Sequence, residues 1–255
     1  MSQRIFCIGD IHGHYVQLMD LMDKLYNDKK LDLNKDILVT LGDNIDGGPD
    51  SKKVLDWSID LKEKFPENFI SIFGNHESLL LDALNPKHPI YGDYYLWWNQ
   101  GGQATLKSFQ DQFLMPPEAT NYNRSLLQPK DLITSDYLDF IRHSPLFYET
   151  DDYFFVHGGL YPERSIEEHK EAIGLFHPDL MRGGDMAYDM IWLRGHIGNL
   201  YEWEKKLIFG HTVSNDFNPR VYNNMIGLDT MAHNHGRLTA VILPNEEFIY
   251  SIFSD

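Results

Sequence analysis

The 255-residue chain has one cysteine, no apolar run long enough to span a bilayer, and far fewer basic than acidic residues. A single cysteine, Cys7 in Ile5-Phe6-Cys7-Ile8, excludes an intrachain disulfide framework and a thiolate-rich structural zinc, and reads as a small apolar strand residue. No run of 18 or more apolar residues occurs, and the N-terminal MSQRIFCIGD has no long h-region. The expectation is therefore a cytoplasmic protein without a membrane partner. Lys and Arg total 22 against 38 Asp and Glu, a formal charge of −16. That balance argues against nucleic acid or an anionic membrane surface as partner, since both call for a basic face. Bound divalent cations would neutralise part of the excess. The remaining composition, 42% apolar, 13% aromatic and 24% charged, suits a soluble globular chain large enough to bury a full core.

The first third alternates short apolar runs with helical periodicity, the pattern of βαβ units rather than hairpins. Strands are expected at Ile5 to Ile8, Asp36 to Leu41 and Phe69 to Phe73. Helices are expected at His14 to Tyr26, with Val16, Leu18, Met19, Leu21, Met22 and Leu25 apolar, and at Ser51 to Phe65, with Val54, Leu55, Trp57, Ile59 and Leu61 buried. From Asn85 to Glu149 the pattern loosens into loops and short helices around NPKHP and LMPPEATNYNRS. Strand signals return at Tyr153 to Val156, Leu207 to Phe209, Met225 to Leu228, Leu238 to Leu243 and Phe248 to Phe253, the last two bracketing a short PNEE turn. No repeat, low-complexity segment or linker divides the chain. One domain over residues 1–255 is expected, with an inserted cap at about 85–150.

One Gly-Asp after a strand is ordinarily a turn. Here the arrangement recurs. The five strand ends run into Gly9-Asp10-Ile11-His12-Gly13, Gly42-Asp43-Asn44-Ile45-Asp46, Gly74-Asn75-His76-Glu77, His157-Gly158-Gly159 and Gly210-His211-Thr212. Open α/β sheets place ligands outside the carboxyl ends of their strands. Mixed carboxylate, imidazole and amide donors suit manganese, iron or zinc, and redox-inert hydrolysis is the natural chemistry of such a centre.

In this order the motifs resemble those of the calcineurin-like metallophosphoesterases, and within them the phosphoprotein phosphatase family that includes serine/threonine phosphatases. Leu228-Asp229-Thr230 and Arg237-Leu238-Thr239-Ala240 fit its bacterial branch, which includes symmetrical diadenosine tetraphosphatases. The resemblance implies an αββα sandwich of two mixed sheets flanked by helices, with an inserted helical and loop cap. It implies two divalent ions, manganese foremost, with iron, zinc, nickel or magnesium as alternatives. Asp10 and His12 would hold the first ion, Asp43 would bridge, and Asn75, His157 and His211 would hold the second. A metal-bridging hydroxide would attack phosphorus while His76, oriented by Asp46, protonates the leaving oxygen. The alternative reading of Asp46, an Asx-turn residue, is compatible with this role.

The implied reaction is hydrolysis of phosphoserine and phosphothreonine monoesters, with a phosphorylated protein or small phosphoester as partner. The alternatives are a bis(5'-nucleosyl)-tetraphosphatase, a phosphodiesterase, or a binding module of reduced activity. One departure motivates them: the family usually has Arg after the second Asp, where this chain has Gly47. A lost guanidinium removes charge-assisted contacts to phosphate. Arg182 and Arg194, between His157 and His211, are the candidate replacements, beside Asn75, for phosphate binding. His233 and His235 read as a polar loop, with an approach to the site as the alternative. Tyr91, Tyr94, Tyr95, Trp97 and Trp98 read as a packed cap, with a base-stacking wall as the alternative.

Overall fold

The computed structural model describes residues 3–84, 92–110, 132–174, 176–178, 185–194 and 203–253. Strands β1 (Ile5–Ile8), β2 (Ile37–Thr40) and β3 (Phe69–Ser71) run parallel, joined through helices α1 (Tyr15–Asn27) and α2 (Ser51–Lys64). In the second half lie β4 (Phe147–Glu149), β5 (Tyr153–Val156), β6 (Lys206–Phe209), β7 (Arg220–Val221), β8 (Met225–Gly227), β9 (Arg237–Leu243) and β10 (Glu247–Phe253). The hairpin β9–β10 joins the first sheet antiparallel, giving the order β10-β9-β1-β2-β3. The second sheet has the order β4-β5-β6-β8-β7, with β5, β6 and β8 parallel and both edge strands antiparallel.

Side-chain alternation sorts the layers. In β1, Phe6 and Ile8 pack with Leu18, Leu21, Met22 and Leu25 of α1 and Val54 and Leu61 of α2. Ile5 and Cys7 point the other way and share a core with Phe155, Ile208 and Ile226 of the second sheet. From that sheet Phe154, Val156, Leu207 and Phe209 turn outward onto α3 (Asn75–Leu84) and α8 (Met186–Trp192). The result is helix, sheet, sheet, helix, the expected sandwich. Inner strands covered on both faces read as continuous apolar runs for this reason.

Several local expectations change. In α2 the buried positions are Ser51, Val54, Leu55, Ser58 and Leu61, a strict helical stripe, while Trp57 and Ile59, both expected to be buried, are half-buried on its flanks. The Ser58 hydroxyl donates to the Val54 carbonyl at 2.9 Å, which satisfies it inside the layer. Val16, expected on the apolar face of α1, is 59% exposed. Helix α3 was not expected, because its first turn consists of the polar motif Asn75-His76-Glu77. β4 and β7 were also missed, being two or three residues long without clear alternation.

Within the looser segment lie α4 (Gly92–Trp97), a π-turn at Trp98–Gly102, α5 (Gln103–Ser108) and α6 (Ser135–Arg142). Further on, α7 (Ile166–Ile173) opens on a capping box in which the Ser165 hydroxyl accepts from the Glu168 amide and the Glu168 carboxylate accepts from the Ser165 amide. Among the described residues no helix is long and apolar enough to cross a membrane.

Candidate metal centre

All five motif loops leave the carboxyl ends of parallel strands, β1, β2 and β3 in one sheet and β5 and β6 in the other. Hydrogen bonds tie the loops together. The His12 amide donates to the Asp43 carbonyl at 2.7 Å, the His211 amide to Asp10 Oδ2 at 2.8 Å, and the Gly210 amide to the His157 carbonyl at 2.9 Å. His157 Nδ1 meets the Leu41 carbonyl at 2.7 Å, which leaves Nε2 facing the cleft. His12 (φ 48°), Asp43 (φ 49°), Asp46 (φ 72°) and His211 (φ 57°) all adopt left-handed backbone. A non-glycine residue costs about 1–2 kcal/mol there, so four such residues at the strand ends reflect contacts that over-determine the loops.

Asp43 lies at the centre. Its Oδ2 is 3.3 Å from His157 Nε2, 3.6 Å from His12 Nε2 and 3.9 Å from His76 Nε2. Two clusters of donor atoms share it: His12, Asp43 and His76, and Asp43, His157 and His211. Asn75 Oδ1 is 2.8 Å from His157 Nε2, which brings the amide to the second cluster. Asp10 Oδ1 is buried without a hydrogen-bond partner among the described residues, and a Cβ on Gly210 would lie 2.1 Å from it. An unpartnered carboxylate oxygen in a buried site is costly. This set of oxygen and imidazole donors, with its orphaned oxygen, fits divalent cations of the manganese, iron and zinc type.

Charge in the cluster is strongly perturbed. Burial alone would raise Asp43, but the imidazoles of His157, His76 and His12 hold it well below the usual carboxylate range. Burial works against the charged form of His157, yet Asp43 overrides it and carries His157 up to about 10. His211 is pushed down to about 3 by burial and by His157. Burial, then the neighbouring Asp229, raises Asp10.

His76 stands beside this centre. Its Nδ1 is 2.8 Å from Asp46 Oδ2. Burial opposes the imidazolium, but Asp43 and the hydrogen-bonded Asp46 outweigh it and raise His76 to about 9. The Asp46 carboxylate is fully buried and bonds residues 30, 51 and 59 positions away, so the Asx-turn alternative does not describe it.

Among the phosphate-binding candidates, Arg194 is at the centre: its Nε donates to His211 Nε2 at 3.0 Å. Arg182 lies outside the described residues. His233 lies on an exposed polar loop as expected, and from there its ring also comes to 4.8 Å from that of His12. His235 is an exposed loop residue with φ 58°. The expected packed cap accounts for Trp97, which is fully buried, while Tyr94 stacks on Trp98 at 5.9 Å; Tyr91 lies outside the described residues.

Glu77 carries a role that sequence reasoning did not assign. Its Oε2 accepts from the Asp43 amide at 2.9 Å and the Gly74 amide at 3.1 Å, and its Oε1 from the Asn44 amide at 2.9 Å. The carboxylate thus stitches the β2 loop to the start of α3. The available signal was an acid in the first turn after a Gly-Asn-His motif.

The sequence profile of the calcineurin-like phosphoesterases matches residues 3–238. Serine/threonine-protein phosphatase 2 of Escherichia coli is 37% identical over 100 residues, which are 39% of this chain and 39% of that protein. The chain therefore aligns with about two fifths of that relative's length. The asymmetrical bis(5'-nucleosyl)-tetraphosphatase PrpE of Anoxybacillus flavithermus is 27% identical over 259 residues, 95% of this chain and 91% of that one. Among solved structures, a cold-active protein-tyrosine phosphatase of a psychrophilic Shewanella superposes with a TM-score of 0.60 at 17% identity, covering 98% of this chain and 78% of that one. That likeness concerns the fold alone. With its two-sheet sandwich, its donor side chains gathered at five strand ends and a profile match over most of its length, the chain belongs to the calcineurin-like phosphoesterase family.

Proposed function

We propose that this protein is a dinuclear-metal-dependent phosphoprotein phosphatase acting on phosphoserine and phosphothreonine monoesters. The observation that carries the reading is one carboxylate, Asp43, shared by two clusters of metal-competent donors, with the His76–Asp46 pair directly beside them. Asp10, His12 and Asp43 would hold one ion; Asp43, Asn75, His157 and His211 the other. Manganese heads the candidates. When bound, two such ions supply an activated water and neutralise phosphate oxygens.

The side chains do the remaining work. Asp46 accepts from His76 Nδ1–H and so fixes the tautomer, leaving Nε2–H directed at the leaving oxygen. With its pKa raised to about 9, His76 is protonated at neutral pH and can donate as the P–O bond breaks. Arg194, exposed and beside His211, is the described cation best situated for a phosphate oxygen, with Asn75 as a further donor; Arg182 is a second candidate. Gly47 leaves the usual guanidinium position empty, which lowers the affinity expected for a phosphate dianion.

Dinucleoside tetraphosphate hydrolysis is the second reading, favoured by the similarity to PrpE along nearly the whole chain. Against it, Trp97 is engaged by Asp46 and Tyr94 stacks on Trp98, so these rings are already occupied. A pure binding module is disfavoured because every expected metal donor and His76 are present. The test is turnover by the manganese-loaded protein of a phosphothreonine peptide, 4-nitrophenyl phosphate and diadenosine tetraphosphate in parallel. A kcat/KM highest for the peptide supports the first reading, one highest for the dinucleotide supports the second, and no turnover of any of them overturns both.

A further inference from the structure

Helices α4 and α5 and the π-turn between them reach the residue beside the candidate general acid. Asp46, whose carboxylate orients His76, receives its other partners from residues around the π-turn at Trp98–Gly102. Trp97 Nε1–H is shared between Asp46 Oδ2 at 3.0 Å and Oδ1 at 3.2 Å. The Thr105 hydroxyl donates to Asp46 Oδ1 at 2.6 Å and accepts from the Asp46 amide at 2.9 Å. One hydroxyl therefore closes a ring with the backbone and side chain of one residue, which fixes the Asp46 rotamer. Both supports are fully buried.

The turn between them is shaped for this contact. Gly101, at φ 104°, accepts from the Gly47 amide at 3.3 Å, and a Cβ on it would lie 2.5 Å from that nitrogen. A Cβ on Gly102 would lie 2.4 to 2.8 Å from three atoms of the Trp97 indole, so the ring packs directly on the backbone. The insertion thus seats itself on the Asp46-Gly47 loop and delivers an N–H and an O–H to a single carboxylate.

We propose that Trp97 and Thr105 are positioning residues for proton donation to the leaving group, acting through Asp46 on His76. The inference rests on the reading of His76 as the general acid. Asp46 is held at a strained φ of 72°, and with either donor removed its carboxylate can turn away from His76 Nδ1. A misdirected imidazole donates poorly, and supporting hydrogen bonds of this kind are worth about 10- to 100-fold in activity.

The discriminating assay is leaving-group dependence, because a better leaving group needs the proton less. Trp97→Phe, Thr105→Val, Thr105→Ser and His76→Asn are compared on phenyl phosphate and 2,4-dinitrophenyl phosphate with manganese, with metal content and thermal unfolding measured for each. Trp97→Phe keeps a ring in the core, and Thr105→Ser keeps the hydroxyl. Expected are losses in kcat of about 10- to 100-fold on phenyl phosphate but under about threefold on the dinitrophenyl ester for Trp97→Phe and Thr105→Val, with recovery in Thr105→Ser. Equal losses on both esters, no loss on either, or a Thr105→Ser variant as impaired as Thr105→Val would overturn the inference, provided His76→Asn still hits phenyl phosphate harder. If His76→Asn has no such leaving-group dependence, the general-acid reading falls and the positioning role falls with it.

Discussion

Gly47→Arg introduces the side chain that the family resemblance implies at this position, and the structure sets the size of its two opposing effects. Gly47 has φ 87°, a conformation that costs a non-glycine residue about 1–2 kcal/mol. Loss of glycine's freedom in the unfolded chain offsets about 0.4–1 kcal/mol of that, leaving a net destabilisation of roughly 1 kcal/mol. For a protein of this size such a change lowers Tm by about 2–4 °C. Space is not the obstacle, since the nearest atoms to a Cβ at this position are His233 Cβ at 3.7 Å and His12 Cβ at 4.0 Å. A guanidinium reaching the phosphate adds a hydrogen bond between charged groups, about 1.5–3 kcal/mol, or roughly 10- to 150-fold in substrate affinity. The assay is a 4-nitrophenyl phosphate titration with manganese, alongside calorimetric unfolding of the parent and variant. A variant with lower Tm and a KM reduced at least tenfold is expected. A folded variant with unchanged KM would refute the reasoning on the missing clamp and shift the role to Arg194, whose Arg194→Ala variant should then raise KM sharply.

Asp43→Asn removes the charge shared by both donor clusters, so bound metal should fall below two ions per chain by elemental analysis; full retention would remove Asp43 from the bridge. Glu77→Gln replaces a carboxylate oxygen facing buried amide donors with an amide NH2, or loses one acceptor, and should destabilise by about 1–3 kcal/mol in urea unfolding. A change within about 0.3 kcal/mol would contradict the stitching role. His76→Asn should lower turnover of a phosphothreonine peptide about 10²- to 10⁴-fold with metal content retained. His76 also predicts a pH dependence in the metal-free protein. Its folded pKa of about 9 exceeds an unfolded value of about 6.5, so its stabilisation is fully present below about pH 6.5 and lost as pH rises through about 9. The gap in urea midpoint between wild type and His76→Asn should therefore close between pH 7 and 10, and a gap that widens would reverse the assignment.

The layers and the donor side chains at the strand ends were legible because both are written locally. Apolar runs such as Ile5-Phe6-Cys7-Ile8 are strands buried on both faces, and each passes directly into a short loop whose glycine permits close backbone approach. The stripe on α2 was legible at Val54, Leu55 and Leu61, while Trp57 and Ile59 are half-buried and Ser58 is buried because its hydroxyl returns to the Val54 carbonyl. Helix α3 was hidden because its first turn is the polar motif itself, where chemistry outweighs periodicity.

The amino-acid sequence by itself determined the fold class and the donor types at five strand ends, since hydrophobic period and strand-end chemistry act over a few residues. Tertiary structure alone decided that Trp97 and Thr105 hold Asp46 across 51 and 59 positions, that Glu77 stitches Asp43, and that His233 meets His12. It also selected left-handed backbone at His12, Asp43, Asp46 and His211, which local energetics disfavour at every one of these residues. Such contacts depend on how two sheets and the helices α4 and α5 come to face one another, and no short stretch of chain encodes that meeting.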